Sequence, residues 1–452
     1  MQVINPANNK LIRDYPVQST DEVKKRIRQT HEAFLIWSKL TFEKRSEPMK
    51  RLGAILRAKI DACALLMTEE MGKPIEQSKS EVLKCASACD YYAANAAELL
   101  KPESKVVDSR KSVISFEPIG VILGIMPWNY PIWQVFRFGM PTLMAGNGIV
   151  LKHAPNVSGC ALLIEALVKE AGFPEHLLNA LLIENDSVPD VISNELIKGI
   201  ALTGSEGAGV SVGGNAGKAL KKCVLELGGS DPFIVLEDAD MNNCVRVAVN
   251  ARLQNCGQSC IAAKRFIVVE SLYDRFCQEI KKQIEKYKVG DPLDNTTEMG
   301  PLAREDLLKN LERQVNESIA KGAKLLHGGK RLDREGCFYE PTLLKNVQKG
   351  MPVYHEETFG PVFAVISVKS TEEAIKVAND SSFGLGASIW TKDTKLAEEV
   401  AGKIEAGMVC VNDKTVSNIQ LPFGGCKRSG HGRELANYGI KEFVNIKTVV
   451  YA

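Results

Sequence analysis

An α/β architecture built from two parallel-sheet units is the fold class that this sequence predicts. Three observations lead there. From about residue 120 short apolar runs alternate with helix-length segments, the alternation occurs in two series, and 452 residues are too many for one ordinary core. Apolar residues make up 45% and charged residues 25%, the balance of a globular chain rather than a disordered or fibrous one.

The elements follow in chain order. Ser19-Thr20-Asp21-Glu22 reads as a capping box ahead of Val23 and Ile27, because a hydroxyl and a carboxylate three residues apart satisfy each other's backbone N–H groups. Leu52, Ile55, Leu56, Ile60, Cys63 and Met67 recur at three- and four-residue steps, which predicts one apolar helix face. Residues 111–116 alternate weakly after the polar stretch 101–110. Residues 120–125, 149–151, 199–202 and 223–227 form the first series of strands, and 233–236, 266–269, 363–368, 387–390 and 408–411 the second. The tail 447–451 is another strand, and like 111–116 it has no obvious partner inside either unit. Both therefore read as edge or subunit-bridging strands.

Charge and composition exclude several functions. Net charge is +2 with lysine and arginine dispersed, which argues against a nucleic-acid partner or an anionic membrane surface. The start, Met1-Gln2-Val3-Ile4-Asn5-Pro6, lacks the basic and apolar regions of a signal peptide, and no uncharged apolar run approaches about 18 residues, so no membrane partner is expected. Among the twelve cysteines, Cys63, Cys160, Cys223 and Cys410 sit inside apolar segments, which points to a reducing, cytoplasmic setting. With six histidines and no matching pair of short ligand spacings, no metal site is expected.

Chemistry concentrates in a few segments. Asn255-Cys256-Gly257-Gln258-Ser259-Cys260 places a cysteine in a small polar loop before a strand, which gives a thiolate the room that an apolar core denies it. Leu202-Thr203-Gly204-Ser205-Glu206-Gly207-Ala208-Gly209 follows a strand and opens a helix. Glycines there let backbone N–H groups approach a pyrophosphate, although the spacing is not the common dinucleotide fingerprint. Glu226 stands at a strand end before Gly228-Gly229, 34 residues ahead of Cys260, and Asn129 lies between prolines in Pro127-Trp128-Asn129-Tyr130-Pro131. Taken singly, these are a turn carboxylate and a rigid turn.

Together, in this order, the segments resemble the aldehyde dehydrogenase superfamily. Asn5-Pro6-Ala7, Glu70-Met71-Gly72-Lys73-Pro74, Glu357-Thr358-Phe359-Gly360-Pro361, Pro422-Phe423-Gly424-Gly425 and Gly432-Arg433-Glu434 extend the likeness from about residue 5 to the end. The resemblance implies two Rossmann-like parallel-sheet domains plus a small oligomerisation arm. Residues 1–105 and 119–228 would bind NAD or NADP, 229–432 would form the catalytic domain, and 106–118 with 433–452 would form the arm. It implies a homodimer or homotetramer, in which the final residues join the arm across a subunit boundary. It assigns Cys260 as nucleophile, Asn129 as oxyanion donor and Glu226 as the base that activates water. It assigns Trp128, Lys152, Gly204, Ser205, Gly209, Leu227, Glu357 and Phe359 to the cofactor.

Two departures from the family pattern bear on function. Relatives selective for NAD often carry a Glu three residues after the strand-end lysine, where it repels a 2′-phosphate. Here His153, Ala154 and Pro155 follow Lys152, so NADP is expected to be accepted, with Lys152 or His153 near its phosphate. Cys256 precedes Cys260 by four residues, and if that segment is helical the two are one turn apart and open to pairing. For the substrate, Arg137 lies eight residues beyond Asn129 on a predicted helix, and its planar fork suits a carboxylate. Ser259 and Ser417 would add hydroxyls, and Trp133 would line an apolar wall with Phe136. The substrate end looks like the branch that oxidises succinic semialdehyde to succinate. Another short semialdehyde or an aliphatic aldehyde is the alternative.

Overall fold

A computed structural model describes residues 1–108 and 110–451. Its first sheet has six strands, in spatial order Gly430–His431, Lys222–Glu226, Ile197–Thr203, Val121–Met126, Gly148–His153 and Leu178–Ala180. All neighbours are parallel except Gly430–His431, which returns from late in the chain and pairs antiparallel with Lys222–Glu226. The second sheet has seven: Lys324–His327, Thr342–Lys345, Val362–Val368, Ala263–Val269, Asp231–Val235, Gly386–Trp390 and Met408–Val411. It too is parallel apart from its first pair. The two expected α/β units are therefore present, each covered by helices around its own apolar core.

Strand order fixes where a ligand can enter. From Val121–Met126 the chain moves outward to Gly148–His153 and Leu178–Ala180, then returns to Ile197–Thr203 on the other side. The sheet thus reverses its winding between Val121–Met126 and Ile197–Thr203, and a crevice opens at the carboxyl ends of strands flanking such a point. The segments leaving those two ends are Pro127-Trp128-Asn129 and Gly204-Ser205.

Helical detail follows from local chemistry. Ser19 caps Thr20–Trp37, and both halves of the expected capping box are made. The apolar stripe from Leu52 to Met67 does not belong to one helix. It spans Phe42–Ala58 and Ile60–Met71, with a break at Lys59 (φ −106°, ψ 21°), because three- and four-residue spacing runs on across a break that keeps the same face inward. Helix Ile75–Leu99 packs against these and against Trp133–Met144. The latter lies directly on the first sheet at Gly124, where a Cβ would come within 2.2 Å of the Phe138 ring.

A third sheet stands apart: Val444–Val450, Arg110–Pro118 and Glu103–Val107, all antiparallel. The tail does find a partner, and it lies in the same chain. Val444 pairs with Pro118 and Val450 with Ser112, which corrects the expectation that the final residues join the arm across a subunit boundary. Residues just before the tail serve the first unit, since Leu435, Ile440 and Phe443 are buried in its core. Among the described residues no helix is long and apolar enough to cross a membrane.

Candidate active site

The loop before Cys260 is held in an unusual backbone state. Asn255, Cys256 and Gly257 have φ of 54°, 56° and 71°, three left-handed residues in succession. Glycine accepts this and asparagine tolerates it, but for cysteine it costs about 1–3 kcal/mol, which surrounding contacts must offset. Asn255 Nδ2 donates to the Asn129 and Gln258 carbonyls at 2.8 and 3.2 Å, and Arg252 donates to the Gly257 carbonyl at 2.5 Å. At Gly257 a Cβ would meet the Gly360 carbonyl at 2.3 Å. Because the segment is left-handed rather than helical, Cys256 is not one helical turn from Cys260. Its thiol is buried in the second core and pushed up to about 12 by that burial, the state of an inert packing cysteine.

Cys260 is half-buried and borders a cavity of about 220 Å³. Burial raises its thiol to about 11, against the pull of Arg137 and Lys264, so it rests protonated. Lys264 Nζ donates to the Ser259 and Cys260 carbonyls at 2.9 and 2.7 Å, which pins the loop. Asn129 is brought to the same place. One Nδ2 proton goes to the Gln258 carbonyl at 3.1 Å, and the other has no partner among the described residues. The loop carrying Asn129 is anchored by Glu81, which accepts the Ile132 and Trp133 N–H groups at 2.9 and 2.8 Å and is itself paired with Lys73.

Glu226 ends its strand with both carboxylate oxygens buried and without a hydrogen-bond partner among the described residues. Burial raises its pKa well above the usual carboxylate value, the Glu434 carboxylate adds to the rise, and Arg137 opposes it. Glu434 is directly ion-paired with Arg137, so of the two carboxyls Glu226 is the one shifted further towards its neutral form.

Arg137 is where expectation and structure part. It does line the cavity, but Nε is spent on Glu434, Nη2 donates to Thr203 Oγ1 at 3.1 Å, and the guanidinium lies 4.2 Å over the Phe423 ring. Arg137 is therefore shared: Nε is held by Glu434 and one Nη2 proton by Thr203, while Nη1 has no partner among the described residues. Trp133, Ser259 and Ser417 line the same cavity as expected. Lys84 and Lys414 line it too, and sequence reading missed both. Gln77, Glu81 and Lys84 share one helix face at steps of four and three, but Glu76, Ser78, Lys79 and Ser80 among them hide the pattern in the sequence.

The crevice on the far side suits a dinucleotide. Ser205 caps helix Glu206–Lys218 by accepting from Ala208 N, leaving first-turn N–H groups open at the positive end of the helix. Gly209 is required by packing, since a Cβ there would lie 2.4 Å from Leu227 Cδ1. Gly204 borders the same turn. Lys152 is a buried cation whose only partner among the described residues is Asn185 Oδ1 at 2.7 Å, so it has no anion of its own. Glu357 accepts from Gly229 N at 3.0 Å and faces Lys264 at 3.4 Å, and Phe359 meets Trp128 edge-on at 5.7 Å. His153 differs from expectation. Its Nδ1 accepts from Ala154 N and its Nε2 donates to the Pro131 carbonyl, so neither nitrogen is left for a phosphate.

Comparison with known proteins decides the family, because the aldehyde dehydrogenase family model matches residues 1–449. The chain belongs to the aldehyde dehydrogenase family. It is 48% identical over 446 residues to a probable succinate-semialdehyde dehydrogenase (NADP+) of Synechocystis sp. (strain ATCC 27184 / PCC 6803 / Kazusa), covering 99% of this chain and 98% of that one. It is 44% identical over 446 residues to the succinate semialdehyde dehydrogenase (NAD(P)+) Sad of Escherichia coli (strain K12), covering 99% and 96%. The crystal structure of succinic semialdehyde dehydrogenase from Streptococcus pyogenes in complex with NADP+ superposes with a TM-score of 0.98 at 39% identity, covering 100% of this chain and 99% of that one. The expected α/β class with two parallel-sheet units is thus the aldehyde dehydrogenase fold.

Proposed function

We propose that this aldehyde dehydrogenase oxidises succinic semialdehyde to succinate, using NADP and also accepting NAD. The observation that carries the reading is the cavity beside Cys260. Three basic side chains border it, of which Arg137 is paired with Glu434, and its one acidic side chain, Glu81, is tied to Lys73 and to backbone N–H groups. Such a cavity favours an aldehyde with a negative charge at its far end. The names of the relatives at 44–48% identity point the same way.

The residues divide the work as follows. Cys260 Sγ, once it has lost its proton, attacks the aldehyde carbon, and the carbonyl electron pair moves onto oxygen. That oxyanion is met by the free Nδ2 proton of Asn129 and by the Cys260 N–H. NADP, when bound, would supply the acceptor for the hydride of the tetrahedral carbon. Lys152, Gly204, Ser205 and the helix N-terminus would hold its adenosine and phosphate part. Trp128, Glu357 and Phe359 would hold the nicotinamide end, with Leu227 and Gly209 fixing the wall between. Glu226, in its ionised form, takes a proton from water. The water oxygen bonds to the thioester carbon, the C–S bond breaks, and Cys260 leaves as thiolate. Glu226 also favours water over coenzyme A as the acyl acceptor, because only the hydrolytic route needs that base.

Mixing protein, NADP and succinic semialdehyde should raise absorbance at 340 nm, with greater efficiency than for butanal or glutaric semialdehyde. Activity with NAD alone would overturn the cofactor reading, and equal efficiency on all three aldehydes the substrate reading. The protein is further read as a homodimer or homotetramer. The arm sheet supports this, for Val106, Val107, Ile446 and Val450 expose apolar side chains on it and it has two open edges. A monomer by light scattering at micromolar concentration would refute this.

A further inference from the structure

We propose that Gln77 and Glu81, on one face of helix Ile75–Leu99, are the positioning residues that hold the oxyanion donor Asn129 in register with Cys260. The proposal rests on the reading of Asn129 as that donor. Asn129 follows a strand of the first unit and Cys260 precedes a strand of the second, so their separation is set by whatever ties the two loops together. The loops are cross-bonded directly, from Asn255 Nδ2 to the Asn129 carbonyl at 2.8 Å and from Asn129 Nδ2 to the Gln258 carbonyl at 3.1 Å. Both are also hung from the same helix. Gln77 Oε1 accepts from Asn255 N at 2.8 Å, and Glu81 Oε1 accepts from Ile132 N and Trp133 N at 2.9 and 2.8 Å. The two side chains are one turn apart, about 6 Å along the axis, and face the same way.

Each anchor holds one orientation. Gln77 Nε2 donates to the Glu298 carbonyl at 2.9 Å, so both ends of its amide are occupied and Oε1 is kept on Asn255. Asn255 opens the left-handed segment, whose backbone needs such outside contacts. Glu81 takes the place of a helix cap. Helix Trp133–Met144 starts after Ile132, which has no side-chain oxygen to cover its first N–H groups, and the Glu81 carboxylate supplies one from the neighbouring helix. Its other oxygen is ion-paired with Lys73, whose ammonium lies 3.8 Å over the ring of Tyr130, the residue after Asn129. Glu81 and Lys73 thus grip the loop at Tyr130, Ile132 and Trp133, with side chains 1% and 0% exposed. A buried pair is often no more stabilising than apolar residues of similar size, and placement is the contribution left to it. Placement matters here because an oxyanion donor has to lie about 2.7–3.1 Å from the developing charge, and an error of about 1 Å costs about 100-fold in rate.

The test is Glu81→Leu combined with Lys73→Met, which removes both buried charges together so that neither is left unpaired. Because an oxyanion forms in acylation and again in thioester hydrolysis, kcat should fall by about 10- to 100-fold on succinic semialdehyde and butanal alike, with KM for either little changed. Alkylation of Cys260 by iodoacetamide, in which no oxyanion forms, should stay within about threefold of wild type. Glu81→Gln with Lys73→Met keeps an acceptor for the two N–H groups and should recover most of the loss. Gln77→Met should show the same pattern, kcat down and alkylation unchanged. Equal falls in turnover and alkylation would mean that these residues merely hold the site together, and an unaltered kcat that the loops keep their register without them; either overturns the proposal. Asn129→Ala separates this from failure of the donor reading. If that variant turns over at the wild-type rate, Asn129 is not the donor and the proposal falls with it. If it is impaired, adding Glu81→Leu and Lys73→Met should cost nothing more, and a further loss of about tenfold would reject the positioning role while leaving the donor in place.

Discussion

Arg137 and Glu434 form an ion pair inside the wall of the cavity that holds Cys260, with side chains only 1% and 3% exposed. Removing one member of such a pair leaves a charge in a medium that cannot solvate it, at a cost of about 3–5 kcal/mol. Arg137→Met should accordingly lower the melting temperature and reduce kcat/KM on succinic semialdehyde and butanal by similar factors, because Glu434 and Glu226 then lose their shared cation. Thermal denaturation alongside kinetics on the two aldehydes decides this. An unaltered melting temperature with loss confined to the semialdehyde would return Arg137 to the role of substrate reader.

The same pair sets the pH dependence of hydrolysis. Burial and the neighbouring Glu434 raise the pKa of Glu226, so the ionised form that acts as base is reached at higher pH than for an ordinary carboxylate. The ionised fraction grows about tenfold per pH unit until the raised pKa is reached. Thioester hydrolysis, followed after rapid mixing, should speed up as pH rises from 6 to 8. The sign for stability is opposite. The folded chain keeps a proton that the unfolded chain releases above about 4.5, so this group's contribution is complete below that value and is lost as pH rises through the folded pKa. Glu226→Gln should give one equivalent of reduced cofactor and then turn over about 10²- to 10⁴-fold more slowly. Linear turnover at the wild-type rate would remove Glu226 from the mechanism.

Much of this was legible in the sequence because it rests on local pattern. Runs such as 363–368 and 408–411 became strands at nearly the predicted limits, and the Ser19 capping box formed as read. Gly204, Ser205 and Gly209 lie where a strand-to-helix turn had to put them. What escaped depends on partners distant in the chain. Nothing near Arg137 announces Glu434, 297 residues later, nor does anything near Lys84 announce Ser417, 333 residues later. Gly430–His431 is too short to read as a strand, yet it closes the edge beside Glu226. Asn255 and Cys256 looked compatible with a helix end, and only the contacts of Asn255 with Gln77 and Asn129 account for the left-handed backbone.

Cofactor preference should be reversible at one position. Lys152 is a buried cation with no ion pair among the described residues, and Pro155 stands three residues on, where relatives selective for NAD often carry a Glu. Pro155→Glu should cut efficiency with NADP by at least about tenfold while sparing NAD, since two unit charges about 4 Å apart near a protein surface repel by about 1–4 kcal/mol. The ratio of kcat/KM for the two cofactors measures it. A ratio that does not move would mean that the 2′-phosphate binds away from this turn.

His153 ties the cofactor strand to the loop that carries Asn129. Its Nδ1 accepts from Ala154 N at 2.9 Å, so the ring proton is on Nε2 and is donated to the Pro131 carbonyl at 2.8 Å. Burial pushes its pKa down to about 4, which keeps it neutral throughout the working range. His153→Phe preserves the ring but leaves the buried Pro131 carbonyl without its partner, at a cost of about 1–3 kcal/mol, while Ala154 N keeps the Met126 carbonyl at 2.9 Å. The structure would relax by moving the Pro127–Pro131 loop, and with it the oxyanion donor Asn129. kcat should fall by about 10- to 100-fold on both aldehydes, whereas NADP affinity, read from quenching of protein fluorescence, should change little. Because the ring is neutral, the fall should be the same at pH 6 and pH 8. A defect that deepens towards pH 6 would show that His153 acts through its charge, and a kcat within twofold of wild type would show that the loop holds its shape without it.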